Sequence, residues 1–93
     1  MSDCSFVDLT CISPSCNRPR KYPVSKITPH HMAGNLTLAQ IAAIEAKPSR
    51  QMSSNYAISS DGGIALLCHE ADRSWCSSSP ANDHRAITVE VAN

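Results

Sequence analysis

The chain has 93 residues, with eight Lys and Arg balanced against eight Asp and Glu and four histidines besides. That balance excludes the basic surplus by which proteins hold nucleic acid or an anionic membrane surface. Its 42% apolar content, with Phe6, Tyr22, Tyr56 and Trp75 as the aromatics, excludes a disordered chain and fits one small soluble domain with a lean core.

No stretch approaches the roughly 20 apolar residues of a bilayer span. The opening MSDCSFVDLT has acids where a secretion signal has a basic and then an apolar region. The expectation is therefore synthesis in the cytoplasm without a signal peptide and no insertion into a membrane. The five cysteines, Cys4, Cys11, Cys16, Cys68 and Cys76, are odd in number and fit no common zinc module. Reduced thiols are expected of a chain made in the cytosol.

Residues 1–22 are irregular, broken by Pro14, Pro19 and the basic cluster Arg18, Arg20 and Lys21, and read as an N-terminal arm or loop ahead of a domain over 23–93. Val24 to His31 is β-branched and weakly alternating, a strand in which Pro29 demands an edge position or a bulge because it cannot donate to a ladder. A helix follows, capped by Asn35 or Thr37. It carries Leu38, Ile41, Ala42 and Glu45 at helical spacing and is stopped near Ala46 by Pro48. Asn55 to Ser59 and Ile64 to His69 form a hairpin around Ser60-Asp61-Gly62-Gly63, where Asp-Gly and Gly-Gly supply positive φ. Glu70 to Ala81 reads as loop. In the last strand, Ala86 to Ala92, the apolar Ile87, Val89 and Val91 alternate with Thr88 and Glu90, which puts Glu90 on the polar face. The class is α/β, a mixed central sheet with flanking helices.

Adjacent strand residues point to opposite faces, so of His30 and His31 only one can readily enter a given site. Taken alone, such a pair is more often a surface or packing feature than a metal site. Four segments change that weighting: His30-His31-Met32-Ala33-Gly34-Asn35, Ser53 to Ile58 with Asp61-Gly62, Asp72-Arg73-Ser74-Trp75, and Asn82 to Glu90. Their order and spacing resemble the type 2 amidase family, the N-acetylmuramoyl-L-alanine amidases of phage endolysins and bacterial autolysins. That fold is shared with peptidoglycan recognition proteins.

The resemblance implies a Zn2+-dependent hydrolase of peptidoglycan acting on the amide between N-acetylmuramic acid and L-alanine. It makes His30 a zinc ligand, leaves His31 at a variable position, and gives two catalytic residues. Tyr56 would face the metal and steady the oxyanion, and Glu90 would serve as base or orienting group. Asn82, His84 and Arg85 would border the substrate cleft or brace a loop, and Trp75 would stack on sugar or peptide or anchor a loop. The family's remaining ligands, a histidine and an aspartate or cysteine, are expected in a segment beyond Asn93. Residues 23–93 then form the N-terminal part of a catalytic domain, with weak metal binding and little activity of their own. Cys68, His69, Cys76 and His84 match no ligand position, and Cys76 reads as a free thiol. The whole reading requires His30 and Tyr56 on one side of the sheet. The expected protein is a monomer that reaches the cell wall after lysis or holin-type export. The alternative is a non-catalytic peptidoglycan-binding module on the same fold.

Overall fold

The computed structural model describes residues 2–32 and 34–92. The small-residue turn after the first long strand includes Ala33, which lies outside the described residues. Seven strands and two helices run in the order β1 (Leu9–Thr10), β2 (Cys16–Asn17), β3 (Lys26–Met32), α1 (Leu38–Glu45), β4 (Tyr56–Ile58), β5 (Ile64–Leu66), β6 (Arg73–Ser74), α2 (Pro80–Asp83) and β7 (Ala86–Ala92), with a 3-10 turn at Pro48–Arg50. Five strands form a mixed sheet of order β1-β5-β4-β7-β3, and β2 pairs with β6 beside it. The α/β class with a mixed sheet stands.

Pro29 sits where its missing N–H costs least, because β3 is an edge strand paired with β7 alone. The cap of α1 is Thr37. Its hydroxyl accepts from the Gln40 N–H at 3.2 Å while the Gln40 amide oxygen accepts from the Thr37 N–H at 2.9 Å, a reciprocal capping box. The hairpin between β4 and β5 forms as its turn residues require, with Gly62 at φ 88°. A side chain at Gly63 would meet Leu38 and Ser59 at 3.0 Å, so this glycine lets the turn press against α1.

Matched residues on neighbouring strands project to one face of a sheet. On one face Ala57, Ala65 and Ala92 join Leu67 and the α1 residues Ile41 and Ala42 in the core, with Leu9 and Met32 packed alongside. Three alanines leave room for the helix to lie close on the strands.

Two stretches read as irregular carry structure. Within residues 1–22, β1 extends the main sheet in parallel with β5, and β2 pairs with β6. Arg20 then fastens the arm. Its guanidinium donates to the carbonyls of Glu70 at 2.8 Å, Asp72 at 2.9 Å, Ala86 at 3.0 Å, and Asp83 and His84 at 3.2 Å each. Within 70–81, Ser79 caps α2 by accepting from the Asn82 N–H at 3.3 Å, and Pro80 opens the helix. Two-residue strands and a one-turn helix are too short to leave a period in sequence. All five cysteines are free thiols.

Candidate metal and catalytic site

The parallel register of β3 and β7 sets His30 beside Glu90 and His31 beside Val91. The two histidines therefore face opposite ways, and His30 shares its face with Glu90, Ala57 and the core under α1. His30 Nδ1 lies 3.0 Å from Glu90 Oε1 and 3.1 Å from Oε2. The imidazole is 53% exposed and the carboxylate 1%. A histidine at the rim thus stands over a buried anion. Glu90 had been read onto a polar strand face, but that face is the buried one: Thr88 and Glu90 point inward, while Ile87, Val89 and Val91 are half-buried on the other side.

A third donor arrives from the segment between β6 and α2, where the Cys76 thiol donates to Glu90 Oε1 at 3.5 Å. One donor atom each from His30, Cys76 and Glu90 lies within 4.8 Å of the others. Nitrogen, sulfur and oxygen so gathered suit a divalent ion such as zinc. Burial and the neighbouring Glu90 push the Cys76 thiol up to about 12, so at neutral pH it stays protonated unless a cation offsets that field.

Asp83, fully buried, holds this loop in place. Its carboxylate accepts from the Cys76 N–H at 3.1 Å, the Ser77 N–H at 3.2 Å and the Ser77 hydroxyl at 2.7 Å. Near Glu90, Glu45 of α1 is also fully buried and accepts from the Ser54 N–H at 2.6 Å and the Ser54 hydroxyl at 3.1 Å. Burial raises its carboxyl to about 8, the Ser54 hydrogen bonds oppose that rise, and Glu90 adds to it. Asn55 ties β4 to β7: Thr88 Oγ1 accepts from its N–H, and its side-chain oxygen accepts from the Thr88 N–H, each at 3.0 Å.

Tyr56 requires a correction. Its register partners are Val89 and Leu66, one residue out of step with Glu90, so it projects from the sheet face opposite His30. Its hydroxyl donates to the Glu70 carboxylate and accepts from the Cys4 N–H at 2.7 Å. Tyr56 anchors the N-terminal arm.

The remaining predicted residues divide. Asn82 donates to Thr28 Oγ1 at 3.1 Å and to Ser77 Oγ at 3.4 Å, bracing the Cys76 loop against β3. The His84 ring is turned to the arm. Its Nδ1 accepts from the Lys21 N–H at 3.0 Å, Tyr22 meets its edge, and burial with nearby cations lowers its pKa. The Arg85 guanidinium lies 3.9 Å over the Tyr22 ring. Trp75 donates from Nε1 to Asn17 Oδ1 at 2.7 Å and lines a hollow of about 210 Å³ with Gln51, Arg73, Ser78, Pro80 and Asp83. A larger hollow of about 590 Å³ between the hairpin turn and the start of α1 contains none of these groups.

Sequence reasoning missed Cys76 as a donor and Glu45 as a buried neighbour of Glu90, while Asp83 belongs to the polar stretch 82–85 expected to border the cleft or brace a loop. The one available signal was the acid seven residues beyond Cys76 across a Ser-rich loop, since such an acid readily gathers free N–H and O–H groups.

Residues 20–93 match the model of the N-acetylmuramoyl-L-alanine amidase family. No curated protein and no solved structure gives a significant match.

Proposed function

The chain belongs to the N-acetylmuramoyl-L-alanine amidase family, and on that premise we propose that its site serves zinc-dependent hydrolysis of the amide between N-acetylmuramic acid and L-alanine. The carrying observation is the His30–Glu90 pair at the rim of two parallel strands inside the matched segment. His30 would hold the ion, and the nitrogen, oxygen and sulfur donors gathered there fit one. A bound zinc ion supplies a Lewis acid for the amide carbonyl and acidifies water.

The protein's own groups do the rest. Glu90, buried and hydrogen-bonded to His30, keeps the ring oriented and is placed to take a proton from the attacking water and return it to the leaving amine of L-alanine. The Ser77–Asp83 network holds the loop that walls the site. Trp75 and its hollow adjoin that loop and offer a surface for the glycan or the stem peptide. Asn82 acts there through the loop it braces, and His84 and Arg85 act through the arm. Tyr56 leaves the sheet on the face opposite His30 and takes no part in steadying the oxyanion, so the requirement that the two share a face is not met and the amidase reading rests instead on the family match over residues 20–93 and on the His30–Glu90 pair.

Among the described residues no helix is long and apolar enough to cross a membrane. We place the protein at the cell wall, working as a monomer on peptidoglycan.

Incubating the purified chain with peptidoglycan and zinc tests the reading. Because Glu90 and Cys76 stand beside His30, we expect turnover where the sequence implied little: new alanine amino termini should form without new sugar reducing ends, and a chelator or His30→Ala should stop their formation. Absence of cleavage together with retention on the wall would replace this reading with that of a peptidoglycan-binding module.

A further inference from the structure

We propose that Cys76 is a metal donor, so that this chain holds a thiophilic divalent cation through the imidazole of His30, the carboxylate of Glu90 and the thiolate of Cys76. The proposal rests on the reading of His30 as a metal ligand and deepens it, because it gives the ion two further donors within the same chain.

The spacing carries the inference. Tetrahedral zinc with ordinary bond lengths separates a nitrogen from an oxygen ligand by about 3.4 Å and a sulfur from an oxygen ligand by about 3.6 Å. Here Nδ1 of His30 is 3.0 Å from Glu90 Oε1, and Sγ of Cys76 is 3.5 Å from the same oxygen. All three donors fall within 4.8 Å of one another. The nitrogen–oxygen edge has to open by a few tenths of an ångström, and the nitrogen–sulfur edge, within 4.8 Å here, has to come to about 3.6 Å.

Two hydrogen bonds now converge on one buried carboxylate, from the imidazole and from the thiol. A cation on Oε1 takes the place of both bridging protons and leaves Oε2 of Glu90 for the proton transfer proposed above. The imidazole proton moves to Nε2, Nδ1 offers its lone pair, and the thiol proton leaves to solvent, so each ion bound releases a single proton. Thiolate and carboxylate together neutralise a divalent charge in a buried setting, where an unpaired anion is costly. The exposed side of His30 leaves the remaining coordination position open to water or substrate.

The loop is built to present the sulfur. Asp83 holds the N–H groups of Cys76 and Ser77 and the Ser77 hydroxyl, while Asn82 ties the same loop to Thr28 on β3, the strand that bears His30. Both arms of the site are thereby fixed before an ion arrives, which favours tight and selective binding.

Cobalt(II) titration of the reduced chain, followed by absorption and by proton release, reads this directly. The expected result is a thiolate-to-cobalt charge-transfer band saturating at a single equivalent. Cys76→Ser should remove the band and weaken affinity roughly tenfold or more. Cys16→Ser should leave both unchanged, although the Cys16 thiol is also hydrogen-bonded, to the Ser13 carbonyl and the Ser53 hydroxyl. A second measurement needs no variant: saturating zinc should protect Cys76 from alkylation in the unaltered chain, as mapped by peptide mass. Cobalt binding without the band, a band that survives Cys76→Ser, or a Cys76 that alkylates freely under zinc would each overturn the proposal. If zinc-dependent amide cleavage persists in that case, the ion sits on His30 without sulfur and the amidase reading stands. A band without cleavage would leave the donor set intact and remove the amidase reading.

Discussion

The two faces of the sheet are built on opposite rules. Under α1, a small apolar core of alanines, Ile41 and Leu67 adjoins a band of buried polar groups that includes Thr88, Glu90, Asp83 and Glu45. On the other face Ile87, Val89 and Val91 are only half-buried, and Tyr56 reaches out to the arm through Glu70 and Cys4. Polar groups lie inside and aliphatic ones lie toward the surface, the inverse of ordinary strand patterning. Burying unpaired polar atoms is costly, and here nearly all are hydrogen-bonded, Arg73 Nε being the exception among the described residues. That concentration of paired polar groups supports the proposal that this face is the working one.

The largest effect should come from removing the acid at the centre of that face. Glu90→Ala should lower zinc-dependent amide cleavage about 10²- to 10⁴-fold, the range of a lost general base. Glu90→Gln keeps the volume and should lose nearly as much. Initial rates of alanine amino-terminus formation on purified peptidoglycan check this. Rates within about twofold of the parent would move the working face elsewhere.

What was legible in the sequence follows the length of each element. The capped helix, the Asp-Gly hairpin and the seven-residue strands leave clear patterns, and Pro29 correctly announced an edge. The two-residue strands and α2 leave none. Of the candidate site, the part on long strands was legible: His30 and Glu90 meet because β3 and β7 pair in register. Cys76 was not, since a loop thiol acquires its neighbours only from tertiary structure. Tyr56 failed for a different reason. Alternation tells which residues of one strand share a face, but register between strands decides which face that is, and a shift of one residue reverses it.

Next in size is the clasp between the arm and the working face. Arg20→Met should cost about 3 kcal/mol of stability, because a charged donor serving several carbonyls is lost. For a domain of this size that lowers the melting temperature by about 12 °C or more. Thermal denaturation followed by circular dichroism measures it. A shift below about 2 °C would mean that the arm adds little to the sheet.

Glu45 should make stability depend on pH. Burial raises Glu45 to about 8 in the folded chain, against 4.5 for the free group. Between those values the folded state binds the proton more tightly than the unfolded state does. Glu45 therefore favours folding fully below about 4.5, and that contribution falls as pH rises toward 8. The expected loss across this window is several kcal/mol. In Glu45→Gln a neutral amide can keep the Ser54 contacts without titrating, so the variant should match the parent near pH 5 and exceed it near pH 8 in melting temperature. Parallel pH profiles for the two proteins would show that Glu45 is charged in both states.

The smallest effect falls on the other face and sharpens the contrast most directly. Tyr56→Phe removes one hydroxyl that donates to Glu70 and accepts from Cys4, both within reach of solvent, so it should cost about 1 kcal/mol. Its effect on cleavage should stay within about threefold, because the ring leaves the sheet on the face away from His30. Melting temperature and cleavage rate, taken on the same preparation, separate the two roles: a stability change with turnover kept fits an arm anchor. Loss of turnover by two orders of magnitude with the fold intact would put the phenol at the reaction centre, and would require β4 to sit one residue out of its present register with β7 when substrate is bound.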